Sequence, residues 1–142
     1  MSTASGLIFL IGRVAFAAFF ARAGYRHLFG GDQMTGYARG VGFPAPALAS
    51  WPAGVWLILG GVSIAVGIWP DIGALMLIAF LVPAATWFHN FWRAPAEQRM
   101  MQEQLFWRNV TFVAACIALF GVFVGLGHGL RYAVTPSLID LT

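Results

Sequence analysis

A long apolar run begins near Ile72 and closes on Thr86-Trp87-Phe88-His89-Asn90-Phe91-Trp92, which sets one histidine among four aromatic rings. A run of this length leaves few folds open. About 20 residues of helix cross a 30 Å hydrocarbon layer, and a helix satisfies its own backbone there. Tryptophans that end such a run mark the headgroup level, because their rings are apolar with one polar edge. A histidine at that depth is costly unless it faces protein or water, so His89 needs a partner. Two readings follow: an aromatic anchor bonded to a neighbouring helix, or a ligand or proton-handling site.

Three further apolar runs accompany it. Together they predict helices over about 6–28, 52–69, 72–92 and 106–126, one four-span membrane domain covering residues 1–142. The composition agrees: 60% of the residues are hydrophobic and 9% charged, against roughly 25% charged in soluble domains. Such a chain cannot hide its apolar surface in one small core, so its solvent is lipid. The expected fold is all-α, a membrane four-helix bundle with short interfacial helices in loops 1 and 3.

Several function classes are excluded at once. All eight basic residues are arginine, and they are scattered along the chain; a nucleic-acid binder needs a basic face. The single cysteine, Cys116, allows no intrachain disulfide and no redox pair, so it reads as a packing residue. The first five residues carry no basic residue, unlike the start of a signal peptide, so the first apolar run reads as a retained membrane helix.

Between the runs the chain has its own organisation. In loop 1, Asp32 can cap a short helix over residues 33–39, which Gly40, Gly42 and Pro44 stop. Met34, Tyr37 and Val41 share one face of it. In helix 2, Gly54, Gly60 and Gly61 give a smooth surface for close helix approach. Pro70-Asp71 reads as a tight turn. Pro83 lies inside helix 3 and frees a carbonyl near Ala79. Loop 3, residues 93–104, is the polar stretch. It reads as a surface helix from which Met100, Met101 and Leu105 dip into lipid or a partner. The loop-1 and loop-3 flanks hold Arg22, Arg26, Arg39, Arg93, Arg99 and Arg108, while the opposite side has Arg131. The positive-inside rule then places loops 1 and 3 in the cytoplasm and both termini outside a bacterial plasma membrane.

In that arrangement His27, His89 and Asn109 lie at similar depth, and His128 lies at the other face. Arg13 is too deep in helix 1 to reach water freely. It needs an acid, carbonyls or a water pocket, and Asp71 lies within reach as a structural polar partner. The candidate ligand cluster is His89, Thr86, Asn109, His27 and Trp92. A quinone suits it best, since that ligand needs an apolar slot, aromatic walls such as Trp87 and a few polar groups such as Arg26. Two histidines on two helices could also ligate haem, but no motif fixes their spacing, so haem is disfavoured. Three histidines split between two faces make no closed metal site. No serine, histidine and acid stand together as in a hydrolase.

The chain resembles the DoxX family of small four-helix membrane proteins. The matching features are Gly12-Arg13, Phe20, Gly24 and His27; the loop residues Met34, Tyr37, Ala38, Gly42 and Pro44; then Gly54 and Gly60-Gly61; then Thr86, His89, Phe91 and Trp92; and finally Gln104, Phe106 and Arg108-Asn109. The resemblance implies a four-helix bundle in a bacterial plasma membrane. Some members are similar to membrane subunits of thiosulfate:quinone oxidoreductases, others to partners of oxidative-stress enzymes or to assembly chaperones. Many members carry an acid in helix 2 shortly before the paired glycines, where the nearest position here is Leu57, and many carry Lys where this chain has His27. Two functions are therefore expected. One is a membrane subunit acting with a protein partner or a second copy in quinone-linked or oxidative-stress-related redox work, with no catalytic residue of its own assigned. The other is a non-enzymatic anchor or assembly factor.

Overall fold

The computed structural model describes residues 1–141, and no strand occurs among them. Helix α1 spans Thr3–Gly40, α2 Trp51–Val66, α3 Pro70–Pro83 and α4 Ala96–Leu126. Three apolar helical stretches, Thr3–Gly40, Pro70–Arg93 and Ala96–Gly129, are long and apolar enough to cross a membrane. The fourth, α2, is apolar but has 16 residues, about 24 Å of helix.

Three boundaries differ from the expected ones, each for a local reason. The short helix expected over 33–39 is the second arm of α1, which bends at Gly31 rather than stopping. Gly31 has φ 44° and ψ −127°, a conformation that suits glycine and strains other residues. The loop-3 helix and helix 4 are one helix, because residues 97–105 are mostly good helix formers and Pro95 stands just ahead of the first turn. Helix 3 does not run to Trp92. Pro83 withholds an N–H, the chain widens into a π turn over Ala84–Phe88, and a 3-10 turn follows at Phe91–Arg93. Pro70 and Asp71 lie in the first turn of α3; the turn before them is Gly67–Trp69, with φ of 70° and 44° at its two ends.

Successive helices pack side by side, α1 on α2, α2 on α3 and α3 on α4. Lipid gives no hydrophobic drive for this, so close backbone contact must hold the helices together. At Gly24 and Gly54, α1 and α2 approach until a Cβ on either would stand 2.7 Å from the other's carbonyl oxygen. Gly60 and Gly73 bring α2 and α3 nearly as close, a Cβ on Gly73 standing 2.8 Å from Gly60 O and one on Gly60 3.3 Å from Gly73 O. The α1–α4 seam is closed by large rings instead. Phe9 meets Phe123 at 5.9 Å between centroids, and Phe16, Phe19 and Phe20 gather round Phe112 at 4.5–6.0 Å. Phe20, Leu57, Ile64, Leu77, Cys116 and Phe123 form the buried centre. Leu57 is wholly buried there and packs in the centre of the bundle.

The bundle has two different ends. One carries residues 31–50 and the π turn. The other carries both termini, and there the tail after Leu130 folds back across the helices. The Val134 and Thr135 amides donate to Gly67 O at 3.0 and 2.9 Å, Thr135 Oγ1 accepts from the Trp69 amide, and Arg131 donates to Thr3 Oγ1. Among the described residues the tail after Leu130 is irregular, but its backbone is tied down.

A candidate ligand cavity

Pro83 and Gly31 together shape the first end. Where α3 gives way to the π turn, the second arm of α1 folds over it, and Tyr37 Oη donates to Phe88 O at 3.0 Å. Phe43 packs on both Trp87 and Phe88. Beneath this flap lies a cavity of about 380 Å³. Its walls come from α1 (His27, Met34, Tyr37), the following turn (Phe43, Leu48, Ala49), α2 (Pro52, Ala53, Trp56) and the α3 end (Ala79, Phe80, Pro83, Ala84, Phe88, His89). They are mostly apolar, as a small-molecule site requires.

Two imidazoles interrupt the apolar wall, and both are held. His27 Nδ1 donates to Ala49 O at 2.6 Å, and its ring stands edge-on to Phe80 at 5.5 Å. His89 Nδ1 donates to Gln102 Oε1 at 2.9 Å, tying the π turn to α4. Both partners are oxygen acceptors. In its neutral form each ring carries its proton on Nδ1 and keeps a lone pair on Nε2. In that form the cavity wall holds two imidazoles able to accept, among apolar side chains.

The structure brings His27 and His89 to this one cavity and places the other expected members elsewhere. Thr86 is exposed, and its hydroxyl donates to Val82 O one turn back, which serves the widened helix. Asn109 is buried on α4 and Trp92 is half exposed among Phe91 and Phe106, and neither lines the cavity. Sequence reasoning grouped them by depth, and depth alone does not say which side of a helix faces a cavity. It passed over Trp56, Phe80 and Gln102. A period-3.6 reading puts His27 one turn from Ala23 and Gly24, but nothing local pairs it with Ala49 across a loop.

Arg13 and Asp71 are both buried at the opposite end, but their side chains hydrogen-bond to the tail rather than to each other. Arg13 Nη2 donates to Tyr132 O. The Asp71 carboxylate accepts from the amides of Leu138 and Ile139 at 2.8–3.0 Å. Among the described residues no group of three or more His, Cys, Asp or Glu could hold a metal ion.

No curated protein and no solved structure matches the chain. The DoxX family model matches residues 8–90. That stretch is more than half of the chain, and it contains Arg13, the flap, the glycine contacts and both cavity histidines. The chain is a membrane protein of the DoxX family.

Proposed function

We propose that the protein is a DoxX-family membrane subunit that holds the head of a lipid-soluble quinol in the cavity under the flap and acts with a protein partner in redox work. The observation that carries this reading is the pair of imidazoles on one apolar wall, each fixed as an acceptor by its Nδ1 bond. A quinol ring is flat and apolar and bears two O–H donors, which two Nε2 atoms can take. The oxidised ring bears only acceptors and finds no matching donor on a neutral histidine. Such a ligand, when bound, supplies a two-electron, two-proton couple. His27 and His89 orient it, Phe80, Phe88 and Trp56 wall it, and the flap keeps water out. The arginine distribution supports a cytoplasmic side for this end, in a bacterial plasma membrane.

The test is binding of a short-chain benzoquinol and its benzoquinone to the purified protein, followed by tryptophan quenching. The quinol should bind more tightly than the quinone. His27→Leu and His89→Leu should each weaken it about tenfold, the loss of one buried hydrogen bond. Equal binding by the folded double variant would remove the reading. It would favour an anchoring or assembly role, for which the exposed Met100 and Met101 at the start of α4 offer a docking face.

A further inference from the structure

The seam between α1 and α4 differs from the other three. α1 on α2, α2 on α3 and α3 on α4 pack closely, whereas the α1 and α4 backbones stay apart along most of their length. Rings bridge the gap, and some of them face outward. Phe16 and Phe112 are half-buried, and Phe19, 4.5 Å from Phe112, is 36% exposed. Both helices are long and apolar enough to cross a membrane, so this strip of rings lies open to acyl chains.

Three cations stand at the flap end of the strip. The Arg108 guanidinium lies over the Phe19 ring, 5.9 Å from its centroid. Arg22 and Arg26 follow Phe19 at i+3 and i+7, so they stand on its side of α1. All three are exposed, and they begin where the apolar stretches of α1 and α4 end, as headgroup-level residues do. Among the described residues no carboxylate pairs with any of them. The acids of this end are placed elsewhere. Glu103, five residues from Arg108, faces another side of α4; Glu97 lies about 16 Å further along it; Asp32 lies past the bend at Gly31. Three like charges without a counter-charge repel one another.

We propose that the α1–α4 seam binds one anionic phospholipid, its phosphodiester held by Arg22, Arg26 and Arg108 and an acyl chain laid along Phe19 and Phe112. A guanidinium fork takes two phosphate oxygens at once. A zwitterionic headgroup brings its own cation, which offsets that attraction, and free phosphate has no chain for the rings to hold. The lipid clamps together two helices that backbone contact leaves apart. The inference is independent of the cavity under the flap.

Native mass spectrometry of the full chain in an uncharged detergent, titrated with phosphatidylglycerol or phosphatidylcholine of equal chain length, tests it. Phosphatidylglycerol should add first as a single adduct and bind about tenfold or more tightly than phosphatidylcholine. Arg108→Gln should weaken it about fivefold, and Arg22→Gln, Arg26→Gln and Arg108→Gln together should erase the preference. Arg39→Gln, Arg93→Gln and Arg99→Gln together remove the same charge from the same end and should keep it. Equal loss in both triple variants means diffuse attraction to a basic surface and overturns the site. So does a preference that survives in the seam variant, or a native chain with none. Should the seam variant fail to fold, phosphatidylglycerol with a photoreactive acyl chain decides on the native chain. Labelling of residues 16–22 or 108–112 that unlabelled phosphatidylglycerol displaces and phosphatidylcholine does not supports the seam. Labelling elsewhere, or labelling that both displace equally, overturns it.

Discussion

Gly24 on α1 and Gly54 on α2 meet backbone to backbone, and neither has room for a methyl group. Alanine at Gly54 would press on Gly24 O at 2.7 Å and on the Leu28 amide at 2.8 Å. Neither is the movable tip of a side chain. The gain in helix propensity is about 1 kcal/mol, while overpacking costs about 1–3 kcal/mol, so the clash should win. Gly54→Ala should lower Tm, whereas Gly36→Ala, with nothing within 4 Å of its Cβ, should hold or raise it. Thermal unfolding of both variants checks the contrast, and equal behaviour would discard the close-contact account.

Asp71 fastens the tail through two amides of residues 138 and 139. Asp71→Ala leaves those N–H groups without their acceptor, at about 1–3 kcal/mol for buried donors. Hydrogen exchange at Leu138 and Ile139 should then speed up at least tenfold while the α4 amides near Cys116 stay protected. Unchanged exchange at the two tail amides would show that other contacts hold the tail.

Tyr37 latches the flap through its bond to Phe88 O, and its side chain is 44% exposed. Partial exposure keeps the bond's worth near the low end, about 0.5–1 kcal/mol. Tyr37→Phe should keep the bundle's Tm within a few degrees. Exchange of the amides over 33–39 should rise a few-fold, with faster entry and exit of any cavity ligand. Loss of the whole fold in this variant would mean that the second arm of α1 is part of the core rather than a flap over it.

The helical class, the lipid solvent and the packing glycines were legible because each is written at short range. Apolar runs near 20 residues long, arginines at their flanks and Gly60-Gly61 at a helix interior need no knowledge of the rest of the chain. The approximate place of His89 was legible for the same reason. Its cavity was not, since Pro83 announces a break in α3 but not the π turn that replaces the last helical turns.

What the amino-acid order determined alone was which stretches are helical and roughly how far along its helix each polar residue sits. Only the tertiary structure decided which of them meet. His27 and His89 are 62 positions apart and share one wall, because α1 and α3 both pack on α2 and the flap folds over at Gly31. Arg13 and Asp71 share a depth, yet each turned to the tail, because the returning backbone brings Tyr132 O to one and the Leu138 and Ile139 amides to the other. Depth follows from distance along a helix, which sequence counts. Partnership follows from helix rotation and from chain that returns from far away, which only packing sets.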